Sequence, residues 1–228
     1  MRDDEFPRAL SLAVHELRTP VTVVAGYLRM VLKEQAGPIT DKQRKMLEEA
    51  ERSCGRISAL VGELSDLGKL EGDSLTVARH PIDLAQVVGE VAADMHDGED
   101  RGVRVEVRGA DSPAMVTGDR ARIATIVKAL IHAAVRERGE PGVVVSMVAV
   151  VKDTTPPWAV LVVGDESVLD SLITDARGTP PEFDEWRGGL GLALPVGQRV
   201  VGALGGALWS LQGEHARRGS GMRLPLRK

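Results

Sequence analysis

Apolar residues near the start of the chain recur in alternating steps of three and four. They are Phe6, Leu10, Ala13, Leu17, Val24, Tyr27 and Val31, with a double step across Pro20. This spacing predicts a helix whose apolar stripe packs in a bundle or coiled coil. His15 lies off the stripe, because at about 100° per residue it is about 200° from both Ala13 and Leu17. We therefore expect its imidazole to face solvent.

A turn and a second helix follow. Gly37-Pro38 is a turn signal, and Thr40 to Gln43 has the pattern of a capping box that opens a helix. The apolar positions of this helix again step by threes and fours, apart from a gap at Ser53: Met46, Ala50, Ile57, Leu60, Leu64 and Leu67. Two long antiparallel helices with narrow stripes cannot bury their apolar faces alone, which predicts a homodimeric four-helix bundle. The alternative is an ordinary helical hairpin packed on its own C-terminal domain.

Beyond about residue 72 short β-branched runs alternate with helical patterns. Strands are predicted at 74–78, 103–107, 115–117, 143–151, 158–163, 207–212 and 221–226, and helices at 84–95, 120–138 and 190–204. Asp119 is placed to cap the second of these helices, and 153–157 to close a hairpin. The fold class is therefore α+β: a helical hairpin, then an α/β sandwich with helices on one face of a mostly antiparallel sheet. The boundary near 68–72 predicts domains at 1–70 and 71–228.

Composition sets the broad class of the protein. With 228 residues, 43% of them hydrophobic and 27% charged, the chain has enough material for one or two folded cores. A net charge of −4 gives no reason to expect nucleic acid or an anionic membrane as a partner. The single cysteine, Cys54, excludes an internal disulfide and suits a reducing compartment. The sequence has no apolar run of about 18 residues and begins too acidic for a signal peptide. We expect a cytoplasmic protein.

The densest group of reactive side chains lies on the first helix, where His15, Glu16 and Thr19 fall within about two turns. Thr19 is four residues after His15, so both side chains can reach one small ligand on the same helical face. Pro20 removes one backbone hydrogen bond and is expected to bend the helix just after the histidine.

Residues 12–28 resemble the H-box of two-component sensor histidine kinases, in which the phosphoacceptor histidine is followed by Glu-Leu-Arg-Thr-Pro. The resemblance implies that His15 takes the γ-phosphoryl group of ATP and passes it to a receiver-domain aspartate of a response regulator. It implies that Glu16 acts as a base or hydrogen-bond acceptor, and that Thr19 places a water molecule for phosphatase activity. It also implies a homodimer. The family's usual membrane sensor is absent from this sequence, so we expect either a part of a longer protein or input from another protein, such as a sensor or an upstream kinase.

The C-terminal part resembles the ATP-binding domain of the same kinases, through residues 116–123 and 199–209. The resemblance implies ATP and Mg²⁺ as cofactors. It assigns Asp165 to the adenine amino group and Arg136 to a phosphate contact. Gly189 and Gly191 belong to a glycine-rich segment before a helix, whose N–H groups could hold an anion.

The nucleotide site departs from the family at several positions. The two asparagines that the family places on one helix face, the second of them a magnesium ligand, correspond to Ala129 and Ala133. No shifted alignment restores them, because the chain contains no asparagine. An alanine methyl offers no oxygen to a hard cation, so no metal ligand is assigned. Ser167 and Leu169 replace two glycines after Asp165, and Leu169 could fill space that adenine needs.

Three hypotheses about function follow. The favoured one is a two-component phosphorelay protein in which His15 exchanges phosphoryl groups with a response-regulator aspartate while the ATP chemistry is largely lost. Such a protein is a pseudokinase or histidine phosphotransferase. The second is an active histidine autokinase with an atypical ATP site. The third is a non-enzymatic dimeric scaffold that binds a regulator. The sequence does not name the regulator, the signal or the direction of phosphoryl flow.

Overall fold

The chain forms two compact units, which divide between Leu75 and Thr76. The computed structural model describes residues 5–71, 77–95, 101–109, 113–189 and 191–227. The first unit is a hairpin of helices α1 (Glu5–Leu32) and α2 (Asp41–Glu71). Helix α1 continues through Pro20.

The predicted capping box opens α2. The Thr40 N–H donates to Gln43 Oε1 at 2.8 Å, and the Gln43 N–H donates to Thr40 Oγ1 at 3.3 Å. These reciprocal bonds satisfy two donors that the first turn of a helix leaves without partners. The start of α2 is therefore determined by its local sequence.

The contact between the two helices of the hairpin lies one residue away from the predicted stripe. Val14 and Ala25 of α1 and Val61 of α2 are buried, whereas Leu17 and Val24 of the predicted stripe are about half exposed. Helix α1 thus carries two adjacent apolar stripes, and the spacing by threes and fours predicted only one of them. One stripe closes the hairpin, and the other remains on the surface of the single chain.

The second unit holds a five-stranded sheet and a separate strand pair. Its elements in chain order are β1 (His80–Asp83), α3 (Leu84–Ala93), β2 (Val103–Arg108), β3 (Met115–Gly118), α4 (Arg120–Glu137), β4 (Gly142–Val151), β5 (Trp158–Gly164), α5 (Leu169–Asp175), α6 (Ala193–Ala203), β6 (Ala207–Ser210) and β7 (Gly219–Pro225). The sheet order is β2-β4-β5-β7-β6, with β2 and β4 parallel and the other neighbours antiparallel, while β1 pairs with β3.

Most predicted elements are present, with differences at their ends. Asp119 caps α4 by accepting from the Arg122 N–H at 3.2 Å, as predicted. Of the strand predicted at 74–78, residues 74–76 lie outside the described part of the chain, and 77–78 are not in a strand. Helix α6 begins at Ala193 rather than at 190, because Gly191 has a φ of +69°, which a helix does not allow.

Helices cover both faces of the central strand, which corrects the expectation of one covered face. All of β5 is buried. Its alternate residues Val160 and Val162 share an apolar cluster with Leu169 and Leu172 of α5. Because successive strand residues point to opposite faces, the remaining residues of β5 face the layer of α3, α4 and α6. The segment after β5 is therefore partly buried in the core and packs against β5.

Candidate functional site

The three candidate residues of α1 are all exposed. His15, Glu16 and Thr19 lie in an unbroken stretch of helix, next to Val14, which is buried in the hairpin. The exposure of His15 confirms the expectation from its helical angle. An exposed imidazole can approach a second protein, which is the first requirement for group transfer between two chains.

A row of exposed apolar side chains lies beside this group. Leu12 precedes His15 by three residues, Val23 follows Thr19 by four, and Met30 follows Val23 by seven, so all three share the helical side of His15 and Thr19. We call Leu12, Val23 and Met30 the histidine-side row. Isolated exposed apolar residues are common, but a row of them around a reactive group is typical of a surface that binds a protein.

The Asp165 carboxylate, at the end of β5, is held by two arginines. Arg138 Nη1 donates to one of its oxygens, and Arg218 Nε donates to the other at 2.9 Å. The Asp165 N–H also donates to the Arg218 carbonyl oxygen at 2.9 Å. Arg218 Nη2 donates to Ser167 Oγ at 3.0 Å, so the serine that replaces a family glycine belongs to the same network. The carboxylate assigned to adenine already has protein partners on both oxygens.

A cavity of 340 Å³ adjoins this network at the end of α4. Its walls carry three arginines and three acids, and it is lined by Ala134, Glu137, Arg138, Gly139, Glu140, Val144, Gly164, Asp165, Arg217 and Arg218. Leu169 does not line it, because that side chain lies in the apolar cluster under α5. Leu169 is thus part of the core, and charged side chains line the cavity beside Asp165.

The glycine-rich segment is tied to the end of α4. Gly188, Gly189 and Gly191 have φ values of +68°, +58° and +69°, which L side chains rarely adopt. Arg136 Nη1 donates to the Gly189 carbonyl oxygen at 3.2 Å, so the structure brings two predicted site residues together. The Gly188 N–H donates to Glu137 Oε1 at 3.0 Å, and this N–H is therefore committed to a carboxylate of the protein.

A buried ion pair that the sequence did not predict reinforces this tie. Arg187 and Glu137 pair through Nη2 and Oε2, with 1% and 8% of their side chains exposed. Arg187 Nη1 also donates to the Gly219 carbonyl oxygen at 2.8 Å. Removing one member of such a pair leaves a buried charge without compensation and costs about 3–5 kcal/mol. The pair therefore holds the glycine-rich segment against α4 and β7.

The two positions of α4 that correspond to the family's asparagines offer no magnesium ligand. Ala129 and Ala133 are buried, and a methyl group cannot coordinate a hard cation. Among the described residues no three His, Cys, Asp or Glu side chains are grouped closely enough to hold a metal ion. These residues do not fit a magnesium–nucleotide complex bound in the manner that the family resemblance implies.

Comparison with known protein families decides what kind of chain this is. Residues 8–73 match the family model described as the His Kinase A (phospho-acceptor) domain. This match contains His15, Glu16 and Thr19. Residues 8–73 therefore belong to the His Kinase A family, and the chain as a whole is similar to sensor histidine kinases.

Curated relatives extend the similarity beyond the hairpin. The chain is 28% identical over 202 residues to the signal transduction histidine-protein kinase BarA of Escherichia coli, covering 84% of this chain and 22% of BarA. It is 28% identical over 203 residues to the cell-division control histidine kinase PdhS of Brucella suis, covering 83% of this chain and 20% of PdhS. The chain thus spans about a fifth of the length of these relatives.

Solved structures confirm the fold. Full-length ShkA in complex with AMPPNP matches with a TM-score of 0.68 and 22% identity, over 97% of this chain and 46% of that one. The histidine kinase AdeS of Acinetobacter baumannii matches with a TM-score of 0.59 and 21% identity, over 94% of this chain and 98% of that one. Within the described residues, no helix is long and apolar enough to cross a membrane.

Proposed function

We propose that this sensor histidine kinase core acts as a phosphotransfer protein of a two-component system. In this proposal His15 exchanges a phosphoryl group with an aspartate of a response-regulator receiver domain, and ATP bound to the same chain is not the donor. The proposal assigns dimerisation and phosphotransfer to residues 1–70 and an ATP-binding-type domain without ATP chemistry to 71–228. The observation that carries it is the contrast between an exposed, complete His15 motif and buried alanines at 129 and 133.

The transfer step needs few groups from this chain. An imidazole nitrogen of His15 attacks the phosphorus of the receiver's aspartyl phosphate. A P–N bond forms while the P–O bond to the aspartyl carbonyl group breaks, and the released carboxylate keeps the electron pair. Glu16, the next residue, accepts a hydrogen bond from the imidazole and offsets its positive charge. Because phosphoryl transfer depends mainly on positioning and charge stabilisation, a receiver that brings its own metal ion can complete the site.

Two surfaces of α1 support the partners in this proposal. The histidine-side row gives the receiver an apolar surface around His15. The second row, Leu17 and Val24, lies on another side of the helix, with Tyr27 between the two rows. This second row is also exposed and suits a second copy of the hairpin in a four-helix bundle. A cytoplasmic location is part of the proposal and agrees with the free Cys54. An upstream kinase or sensor protein would then supply the phosphoryl group or the signal.

Radiolabel transfer tests the proposal directly. The protein is incubated with γ-³²P-ATP and Mg²⁺, and separately with receiver domains from the same genome that carry ³²P from acetyl phosphate. We expect acid-labile, base-stable label on the wild-type protein from at least one receiver and none from ATP. The His15→Gln variant is expected to accept no label from any source.

The alternatives give different results in the same assay. Label from ATP on His15 would show an active autokinase with an atypical site and would overturn the proposed donor. The absence of label from ATP and from every receiver would leave the non-enzymatic scaffold. In that case a His15→Gln variant would signal as the wild-type protein does.

A further inference from the structure

We propose that Arg138 and Arg218 are specificity-determining residues that exclude adenine nucleotides from the cleft at the end of β5. They act by occupying both oxygens of Asp165. The inference deepens the proposed function and rests on it for the role of the second unit. The contacts of the two arginines with Asp165 can be removed by mutation, whereas the buried alanines affect only the binding of a metal ion.

The fold holds Arg138 in place. This residue follows the last residue of α4, and its backbone N–H donates to the Ala134 carbonyl oxygen at 3.1 Å. Its guanidinium lies across Gly142, where an added Cβ would come within 2.2 Å of Nη2. Gly142 also has a φ of +155°. A glycine at the start of β4 therefore leaves room for the arginine to cross and reach Asp165.

Arg218 is held by its main chain as well as by its side chain. Its carbonyl oxygen accepts from the Asp165 N–H, and Gly164 allows this approach, since an added Cβ at Gly164 would lie 2.3 Å from that oxygen. The side chain then returns to the same aspartate and to Ser167. Two glycines thus make room for two arginines, and the arrangement is a built feature of the cleft rather than a chance contact of surface side chains.

These contacts oppose recognition of adenine. An adenine amino group would have to donate to a carboxylate whose oxygens already accept from two cations. A guanidinium donor adds the attraction of a positive charge for the carboxylate, which the neutral amino group of adenine lacks. The two guanidinium groups also stand in front of the carboxylate, where the base would approach. Removing them should free Asp165 and produce a preference for adenine that the wild-type protein lacks.

The test compares ADP with inosine diphosphate, both without Mg²⁺, by isothermal titration calorimetry. The two ligands carry the same charge, and inosine has a carbonyl oxygen where adenine has its amino group. We expect no preference in the wild-type protein and at least a tenfold preference for ADP in the double variant Arg138→Ala/Arg218→Ala. Adding Asp165→Ala to the double variant removes the accepting oxygens and should abolish the preference. Arg217→Ala is the matched control, because it removes a neighbouring positive charge from the same cavity without touching Asp165.

Each result decides for or against the inference. A folded double variant without a preference for ADP would overturn it, as would a preference that survives Asp165→Ala or arises in Arg217→Ala. If circular dichroism shows that the double variant is unfolded, the single variant Arg218→Ala decides. Its side chain is 42% exposed and tolerates truncation, and we expect about a threefold preference. Absence of that preference would refute the inference.

The proposed function fails in a different assay. If no receiver labels His15 while the double variant still gains a preference for ADP, the phosphotransfer proposal is wrong and the role of the arginines stands. If receivers label His15 and the variants show no preference for ADP, the phosphotransfer proposal stands and the proposed role of the arginines is wrong.

Discussion

Two threonines in the middle of α1 differ in what their hydroxyl groups face. Thr22 Oγ1 donates to the Arg18 carbonyl oxygen at 2.8 Å, a common bond for threonine inside a helix. Thr19 lies one turn after His15, on the same exposed side of the helix. Of the two, Thr19 lies on the side where the proposed function places the receiver, so it is the one expected to orient a water molecule there.

We expect Thr19→Ala to slow dephosphorylation of the receiver about tenfold or more, because a misplaced attacking water loses the advantage of orientation. Labelling of His15 by the receiver should persist. The measurement is the loss of ³²P from a phosphorylated receiver in the presence of each variant. Thr22→Ala, which removes the same hydroxyl one turn away, is the control and should behave as wild type. Equal rates for Thr19→Ala and the wild-type protein would rule out the phosphatase role.

At the residue scale, the sequence predicts the exposure of a side chain where neighbouring positions on one helix determine it. The exposure of His15 follows from the helical angle between neighbouring positions. The neighbours of Asp165 could not be found in this way, because Arg138 and Arg218 are 27 and 53 residues away along the chain. Three elements of the fold bring them together. The proposed roles of His15, Glu16 and Thr19 remain predictions.

Helix α5 shows how a short element is placed by packing and electrostatics. Leu169 and Leu172 bury one side of it against the sheet, Asp170 lies in its first turn and Asp175 is its last residue. Burial raises the pKa of the Asp175 carboxyl above its usual value. A negative charge at a helix C-terminus also opposes the helix dipole, whereas one in the first turn complements it.

Asp175→Asn is therefore expected to stabilise the protein at neutral pH. A carboxyl whose folded pKa is raised disfavours the fold when it is ionised, and this cost disappears as the pH falls below its unfolded value of about 3.9. We expect a gain of about 0.3–1 kcal/mol in the free energy of unfolding at pH 7. Urea denaturation at pH 7 and pH 3 measures it, and the gain should vanish at pH 3.

Asp170→Asn is the control on the same helix. It removes a favourable charge from the first turn and is expected to lower the free energy of unfolding at pH 7. A stabilising effect of both substitutions would show that general charge reduction, and not the position on α5, is responsible.

At the element scale, local signals were sufficient for α2 and α4 and insufficient for α5. The Thr40–Gln43 capping box and the Asp119 cap each identified a helix start correctly. Helix α5 was not predicted, because only seven residues with two buried leucines give too little periodicity. Its existence depends on the apolar cluster contributed by distant strands.

On the scale of the whole molecule, the proposed assembly depends on two exposed rows of α1. Leu17 and Val24 form the row proposed to contact a second copy, called the dimer row, and Leu12, Val23 and Met30 form the histidine-side row. The two rows lie on different sides of one helix, so a dimer partner and a receiver need not compete for the same surface. The sequence pattern predicted the dimer row as a buried stripe but did not reveal the second row.

Val23 and Val24 separate the two kinds of assembly, because they are consecutive valines with 50% and 49% exposure that point about 100° apart on α1. If the proposed homodimer forms through the dimer row, Val24→Glu should give a monomer in sedimentation velocity, since an unpaired charge buried between apolar helices costs several kcal/mol. Val23→Glu should remain dimeric and should instead accept phosphoryl groups from the receiver at least tenfold more slowly. The two variants carry the same change and the same charge, so each controls for the other. Dissociation by Val23→Glu, or an intact dimer in Val24→Glu, would contradict the assignment of the rows.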